Sequence, residues 1–317
     1  MKFKLDFKIP ASSAKINHKE SLYLVGSCFS DNMGGYLKKY KFETLSNPFG
    51  TIYNPISILK LMSGDVRIDN LVQSQGICYH WDAHGYISSS EPLKTQRLIE
   101  QRLHESTQFL KKTNWIIITL GSAWVYRHLE TDQLVANCHK VPQKQFKKEL
   151  LTSQEISDAL SHHLKKISRP DLNVIFTVSP VRHIRDGLIE NNRSKAVLLE
   201  AVHTTCEMFD FAHYFPAYEI LIDELRDYRF YAKDLVHPSE QAVQYIWEKF
   251  SETYLDQESK TLTQELSSVF ASMQHSPTHP KTDAHQRFLK NTLNQLRKLN
   301  EKTDLRVEIE LLTQLIS

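Results

Sequence analysis

The chain has 317 residues, of which 41% are hydrophobic, and its 39 Lys and Arg against 37 Asp and Glu give a formal net charge of +2. That much apolar sequence excludes a disordered chain, and the near-neutral charge gives no basic footprint for nucleic acid. No apolar run reaches the roughly 18 residues of a membrane span. From the charge and the apolar runs together, we expect neither a nucleic acid nor a membrane as partner.

The first part of the chain reads as short strands joined to helices. Residues 22–25 (LYLV) are predicted as a strand that stops at Gly26, and the helical pattern that follows ends near Tyr40. A second short strand is predicted at 42–45. Helices are predicted at 55–63, with proline in the first turn, and at 94–112.

The middle of the chain contains two buried strands. Residues 115–121 (WIIITLG) and 174–178 (VIFTV) are continuous apolar runs rich in β-branched residues. A capping box, Thr152 with Glu155, opens a helix, and further helices are predicted at 193–209 and from about Ser239. Strands that alternate with helices predict βαβ units and a parallel sheet in an α/β fold.

The last part of the chain is predicted to be helical. Residues 256–317 carry no strand pattern, and the segment Ser276–Pro280 separates two helical stretches. We therefore expect a main domain over residues 1–255 and a helical hairpin over residues 256–317 packed on it.

The cysteine spacing gives no metal pattern. Cys28, Cys78, Cys138 and Cys206 fit no zinc-binding spacing. The polar N-terminal residues lack the apolar core of a signal peptide. We therefore expect reduced thiols in a cytoplasmic protein, with no metal and no cofactor.

The first candidate site is Gly26-Ser27-Cys28-Phe29, at the turn from a strand to a helix. A nucleophile there would lie at the carboxyl edge of a parallel sheet, where such folds bind ligands. The helix N-terminus is expected to lower the pKa of a thiol and to stabilise an oxyanion. Alternatively, Ser27 caps the helix and Cys28 is a small buried apolar residue.

The second candidate site is Asp234-Leu235-Val236-His237-Pro238, just before the predicted helix at Ser239. A carboxylate three residues before an imidazole can hold its tautomer while the other ring nitrogen acts as a base. Alternatively, His237 is a surface loop residue.

The two candidate sites together resemble the SGNH/GDSL hydrolase superfamily, and more closely the bacterial GSCFA-domain proteins. The matching segments lie within residues 22–250 and are GSCFS (26–30), NPFGTIYNP (47–55), TLGSAWVY (119–126), NCHK (137–140), TVSPVRH (177–183), YFPAYEI (214–220), DELRDYRFYAKD (223–234) and HPS (237–239). Ser30 stands where the family name has Ala. The resemblance implies a three-layer α/β/α sandwich with a flavodoxin-like parallel sheet.

The resemblance also implies roles for the site residues. The nucleophile of the superfamily lies two residues after the glycine, which corresponds to Cys28, with Ser27 as the second candidate. Gly50 is similar to the oxyanion glycine of the second block. The third block, normally Gly-x-Asn, reads Gly121-Ser122-Ala123, so Ser122 or Asn137 would have to replace the asparagine donor.

Further residues are weaker candidates. Cys138 and His139 are adjacent and could form a second thiol centre or a plain loop. Arg182 and His183 follow a strand and could bind an anionic group or lie in a solvated turn. Trp81, His84 and Tyr86 could line a sugar pocket, although core packing is the expected role of Trp81.

The leading functional expectation is an ester-bond enzyme, either an esterase or an acyltransferase (acetyltransferase included), acting on an acylated carbohydrate or small molecule. Cys28 or Ser27 would attack the acyl carbonyl, and Asp234 would orient His237, which would take the proton and return it to the leaving group. The alternative is a catalytically inactive ligand-binding protein on the same fold, because the Gly-x-Asn asparagine is missing. The sequence does not predict the oligomeric state.

Overall fold

The structure is a computed structural model that describes residues 7–275 and 282–316. In chain order the strands are β1 (Ser21–Gly26), β2 (Glu43–Ser46), β3 (Leu71–Ser74), β4 (Ile77–His80), β5 (Trp115–Leu120), β6 (Trp124–His128), β7 (Leu134–Val135), β8 (Phe146–Leu150), β9 (Asn173–Val178) and β10 (Ala212–Tyr214). The α-helices are α1 (Cys28–Lys39), α2 (Pro55–Met62), α3 (Pro92–Lys112), α4 (Ser153–Ile167), α5 (Gly187–Met208), α6 (Ala217–Glu219), α7 (Glu240–Tyr254), α8 (Gln257–Gln274), α9 (Asp283–Leu299) and α10 (Arg306–Ile316).

A five-stranded sheet with the order β10-β9-β5-β1-β2 forms the centre of the molecule, and its strand pairs are all parallel. Ile117 of β5 lies opposite Leu24 of β1 on one side and opposite Ile175 of β9 on the other. The residues of β1 and β5 are all buried, as their continuous apolar runs require. The predicted parallel α/β sheet is therefore confirmed.

Helices flank the sheet on both faces because successive strand residues point to opposite sides. Leu22 and Leu24 join a core with residues of α1 and α7. Tyr23 and Val25 join the other core, which is completed by residues of α2, α3, α4 and α5. The carboxyl ends of the strands thus meet at one edge, between two helical layers.

Two small antiparallel sheets lie outside the central sheet and were not predicted. β3 and β4 form a hairpin, and β6 pairs with both β7 and β8. The hairpin turns through Gln75 and Gly76, which both have positive φ, as a tight two-residue turn requires. β8 was not predicted because its sequence, FKKEL, is mostly charged.

The described residues after α7 form three helices, α8, α9 and α10, rather than the two of a hairpin. The break between α9 and α10 is held by Asn300, whose Oδ1 accepts from the Leu305 N–H at 2.8 Å. No glycine or proline marks that break in the sequence. The other predicted break, Ser276–Pro280, lies outside the described residues. Leu266, Leu296 and Leu312 are buried in the same core as α1.

The N-terminal segment lies against the end of α7. The Ile16 N–H donates to the Tyr254 carbonyl at 2.8 Å, and the Asp256 N–H donates to the Ile16 carbonyl at 3.1 Å. Asn17 Nδ2 donates to the Asp256 carboxylate at 2.8 Å. Ile16 is fully buried, so this contact covers the core beside the end of α7. None of the described helices has both the length and the apolar content of a membrane span.

Candidate functional site

The turn after β1 requires glycine. Gly26 has a φ of 134°, and a Cβ at this position would lie 2.0 Å from the Thr119 carbonyl oxygen of β5. The Ser27 N–H donates to the same carbonyl at 3.1 Å. The close backbone approach directs Ser27 and Cys28 over the carboxyl edge of the sheet.

Ser27 is the N-cap of α1. Its Oγ accepts from the Phe29 N–H at 3.3 Å and donates to the Ser179 Oγ at 2.9 Å. The residue is only 1% exposed. The predicted capping role is therefore confirmed, and the hydroxyl is both buried and engaged on two sides.

Cys28 is the first residue of α1 and is partly exposed. Its backbone N–H has no acceptor within the helix, and no other described residue accepts from it. Burial raises the pKa of the Cys28 thiol and the Asp31 carboxylate raises it further, while the Cys28 and Phe29 N–H groups and the charge of Lys195 lower it. The net direction is upward, so the expectation that this position gives a thiol of lowered pKa is wrong. Desolvation of the thiolate outweighs the helix terminus.

Lys195 of α5 is a residue of the site that the sequence analysis missed. It is 2% exposed, and its Nζ donates to the Ser179 carbonyl at 2.7 Å and to the Gly121 carbonyl at 2.9 Å. Burial lowers the pKa of Lys195 to about 7, and the negative charge of Cys28 opposes that shift. In the sequence this lysine looks like any charged residue of a polar helix, and only its burial distinguishes it.

Asn47 braces the turn that carries Cys28. Its Oδ1 accepts from the Gly26 N–H at 2.9 Å, and its Nδ2 donates to Asp31 at 2.8 Å and to the Ser27 carbonyl at 3.5 Å. Burial raises the pKa of Asp31, against the opposing effects of the Asn47 hydrogen bond and of His84. Asn47 thus fixes the backbone before Cys28, a role that its position in the second block did not reveal.

Gly50 and Ser122, two of the residues predicted for the oxyanion role, have engaged backbone N–H groups. The Gly50 N–H donates to the Asn47 carbonyl at 2.8 Å, and the Ser122 N–H donates to the Tyr53 carbonyl at 2.9 Å. The Ser122 Oγ accepts from the Trp124 N–H at 3.0 Å. Both residues lie at the carboxyl edge, after β2 and β5. Their roles as oxyanion donors stay predictions.

Asp234 and His237 form a hydrogen-bonded pair in an exposed loop. His237 Nδ1 lies 2.7 Å from Asp234 Oδ2, and both side chains are 49% exposed. A carboxylate only accepts, so Nδ1 carries the hydrogen and Nε2 is the free ring nitrogen. The Val236 N–H and the His237 side chain are the main causes that lower the pKa of Asp234 to about 2. The structure therefore holds the imidazole in one orientation.

Arg182 connects this loop to the sheet. Its N–H donates to the Val236 carbonyl and its Nη1 to the Leu235 carbonyl, each at 3.2 Å. Its guanidinium lies 4.0 Å from the centre of the Tyr231 ring. Because Ser179, bonded to Ser27, lies three residues before Arg182, the loop of His237 and the turn of Cys28 occupy the same edge. Within the described residues no hydrogen bond joins His237 to Ser27 or Cys28.

A cavity of about 580 Å³ lies beside this edge. Tyr53, whose carbonyl receives the third-block N–H groups, forms one wall. Predicted site residues brought together in the lining are Asn137, Cys138, His139 and His183. The side chain of Arg182 is not part of the lining.

The neighbouring residues Cys138 and His139 have environments that favour their neutral forms. Burial raises the pKa of Cys138 to about 11 and lowers the pKa of His139 to about 4. The His139 Nε2 is bonded to the His80 carbonyl at 2.8 Å, and the ring stacks on Tyr79 at 4.7 Å. His139 is thus held as a buried, packed residue of the cavity wall.

The aromatic candidates separate into core and surface. Trp81 is 5% exposed and packs on His128 and Phe146, so its expected role in packing is confirmed. His84 and Tyr86 lie 4.9 Å apart, and the Cβ of His84 faces Gly50. These two rings therefore flank the second block. Across residues 7–275 and 282–316 no three His, Cys, Asp or Glu side chains come together as metal ligands.

Comparison with known proteins identifies a family but no named relative. The sequence profile of the GSCFA family matches residues 21–250, which include the candidate site. The profile of the GSCFA domain protein, C-terminal domain, matches residues 266–317, within the last helices. A search of curated proteins gives no match. Because the first profile covers well over half of the sequence, the chain belongs to the GSCFA family.

Proposed function

We propose that this protein is an SGNH-type ester-bond enzyme, an esterase or acyltransferase, with Cys28 as nucleophile and Asp234 and His237 as the acid-base pair. The observation that carries the proposal is the position of Cys28. It is a partly exposed thiol at a helix N-terminus, on the sheet edge that also holds an imidazole fixed by a carboxylate. Ser27 is the weaker nucleophile because its hydroxyl is buried and bonded to Ser179.

In the proposed reaction, Sγ of Cys28 bonds to the acyl carbonyl carbon as the thiol proton passes to Nε2 of His237, and the carbonyl oxygen becomes negatively charged. The Cys28 N–H is the donor proposed for that oxygen, because no other described residue accepts from it. Collapse of the intermediate breaks the bond to the leaving group and leaves a thioester on Cys28. A hydroxyl of water or of an acceptor then attacks the thioester.

His237 serves the leaving group and the acceptor. Its Nε2 gives the proton taken from Cys28 to the departing oxygen. In the second step Nε2 takes a proton from the attacking hydroxyl and returns it to Sγ as the thioester breaks, while Asp234 keeps Nδ1 protonated. Because the pair is half exposed, a substrate can reach it from solvent. The readiness of thioesters to exchange acyl groups favours transfer over hydrolysis.

The substrate class is supported by the cavity next to the site. Tyr53 and Tyr126 supply aromatic walls, and Asn137 and Arg185 supply polar groups. This combination suits an acylated carbohydrate or a small polar molecule, since aromatic faces pack on sugar rings and amides bond hydroxyls.

The test is turnover of a panel of p-nitrophenyl esters and acyl thioesters by wild type, Cys28→Ala, Ser27→Ala and the control Cys206→Ala. We expect Cys28→Ala to lose at least about a thousandfold in turnover, as for removal of a nucleophile. Cys206→Ala should match wild type, because Cys206 lies near the C-terminal end of α5 and is not one of the candidate site residues. If folded Cys28→Ala keeps its activity while Ser27→Ala loses it, Ser27 is the nucleophile.

A second candidate function is ligand binding without chemistry. It is favoured by the engaged N–H of Gly50 and by the replacement of the Gly-x-Asn asparagine. In that case no member of the panel would be turned over, while a carbohydrate ester would still bind with equal affinity to wild type and to Cys28→Ala in calorimetry.

A further inference from the structure

The cavity beside the candidate site carries more positive than negative charge. Among the described residues that line it, Lys140, Lys148 and Arg185 are cationic and Asp186 is the only acidic one. A concave wall with an excess of one charge attracts ligands of the opposite charge. The charge of the lining therefore bears on which carbohydrate or small molecule the cavity binds.

The carboxylate of Asp186 is engaged by its neighbours. Asp186 Oδ2 lies 2.5 Å from Lys148 Nζ and 3.3 Å from His183 Nε2. Lys148 Nζ also lies over the ring of Trp124, 4.1 Å from the ring centre. Lys148 and Asp186 thus form an ion pair that adds no net charge to the cavity.

Arg185 and Lys140 are the two cations that remain. No described carboxylate forms an ion pair with the side chain of either residue. The planar guanidinium of an arginine matches a carboxylate or a phosphate, because two of its N–H groups can donate to two oxygens of the anion. The lining therefore offers positive charge that the protein itself does not neutralise.

The turn that carries Lys140 has an unusual backbone conformation. His139 and Lys140 have φ of 46° and 61°, and the Val141 N–H donates to the Cys138 carbonyl at 2.9 Å. Gly, Asn and Asp usually occupy the central positions of such a turn, because positive φ costs free energy for other residues. His139 is 5% exposed and bonded to the His80 carbonyl, so its packing holds the turn in place. The fold thus keeps a strained turn that presents a lysine at the cavity.

Asn137 adds a neutral donor to the same wall. Its Oδ1 accepts from the His139 N–H at 3.3 Å, and no described residue accepts from its Nδ2. Tyr53 and Tyr126 supply aromatic rings. Beside the two cations, the lining therefore has an amide and aromatic groups that suit the uncharged part of a sugar.

We propose that this cavity selects sugars that carry an anionic group, a carboxylate or a phosphate, and that Arg185 and Lys140 bind that group. Arg182, a candidate for this role in the sequence, donates instead to the Leu235 carbonyl and lies outside the lining. The substrate of the candidate enzyme would then be an acyl ester of an acidic sugar, an identification that rests on the proposed function. Binding of the anion itself does not depend on acyl transfer.

The experiment is titration calorimetry of the full chain with glucuronate, glucose 6-phosphate and glucose. We expect at least one of the two acids to bind about tenfold or more tightly than glucose, the effect of one hydrogen bond between charged groups. That preference should disappear in about 1 M salt, where charges are screened beyond about 3 Å. A preference for glucuronate alone would assign a carboxylate, and one for glucose 6-phosphate alone would assign a phosphate.

Charge-removing variants test the two cations. Arg185→Gln and Lys140→Gln should each weaken binding of the preferred acid by about tenfold and leave binding of glucose unchanged. The matched control is Lys147→Gln, which removes a lysine that is 66% exposed, lies beside Glu149 and is not part of the lining. This control should bind all three ligands as wild type does.

Cys138 reports whether the acid binds in this cavity, because its thiol is partly exposed and belongs to the lining. At alkaline pH the preferred acid should slow alkylation of Cys138 by iodoacetamide, followed by peptide mass spectrometry. At the same ligand concentration, this protection should be reduced in Arg185→Gln.

Three results would overturn the inference. The first is equal affinity of glucose and both acids at low salt, and the second is no binding of either acid. The third is wild-type affinity for the acid in a protein that carries both Arg185→Gln and Lys140→Gln.

Failure of this inference can be distinguished from failure of the proposed function. Selective binding of an acid without turnover of any ester would support the anion site and refute acyl transfer. Turnover that depends on Cys28, with no preference for acidic over neutral sugars in binding, would support the enzyme and refute the anion site.

Discussion

Replacement of Gly26 by alanine is expected to destabilise the protein strongly. The added Cβ would lie 2.0 Å from the Thr119 carbonyl oxygen and 2.8 Å from its carbonyl carbon, and the φ of 134° disfavours any side chain. Thr119 cannot yield easily, because β5 is hydrogen-bonded to β1 and β9 on its two sides. The backbone strain alone costs about 1–3 kcal/mol, so with the clash we expect Gly26→Ala to lower the free energy of unfolding by about 3 kcal/mol or more.

The assay is urea unfolding followed by circular dichroism, with Gly35→Ala as the matched control. Gly35 lies inside α1, has no atom within 4 Å of an added Cβ and has no positive φ. Alanine there should raise the free energy of unfolding by about 0.5–1 kcal/mol, since it is the better helix former. A Gly26→Ala protein as stable as wild type would refute the close-approach argument.

Three further outcomes are expected. Lys60→Met should lower the free energy of unfolding in urea by about 3–5 kcal/mol, because it leaves the fully buried Asp82, now 2.8 Å from Lys60, without its cation; a loss below about 1 kcal/mol would contradict this. Burial lowers the pKa of His163 to about 4 from 6.5, so the unfolded chain takes up the proton first and stability present above pH 6.5 is lost as the pH falls towards 4. His163→Gln should reduce that acid loss by up to about 2 kcal/mol in unfolding curves at pH 7 and pH 5, and an unchanged pH dependence would refute it. Truncation after residue 255 should cause aggregation, seen by light scattering, because it uncovers the apolar core that receives Leu266; a soluble, folded fragment that loses only activity would show that the helices contribute to the site.

The central fold could be predicted because its strands are recognisable from the local sequence. The apolar runs of β1, β5 and β9 reveal burial on both faces, and the Thr152 capping box marks the start of α4 within one residue. The elements that were missed lack such a signal. β10 has three residues, and α5 begins six positions earlier than predicted because Gly187 and two asparagines weaken the helical pattern.

The position of the candidate site could be predicted from the sequence, but the pKa shifts of its residues could not. Motif order placed Cys28 and His237 at the carboxyl edge, since every parallel strand ends there. The direction of the Cys28 pKa shift depends on desolvation and on Asp31, whose proximity arises from the three-dimensional packing. Lys195 was not identified as a site residue for the same reason, because the local sequence does not show its burial beneath two strand ends.

The contact between the N-terminal segment and the end of α7 has a consequence for biosynthesis. Asn17 and Asp256 are 239 positions apart in the chain, and at about 5–20 residues per second their pairing waits roughly 12–50 s of translation. During that interval Ile16 lacks its contacts with Tyr254 and Asp256. A ribosome that stalls before α7 emerges would therefore leave an apolar segment available to chaperones, and completion of α7 is the step that removes it from their reach.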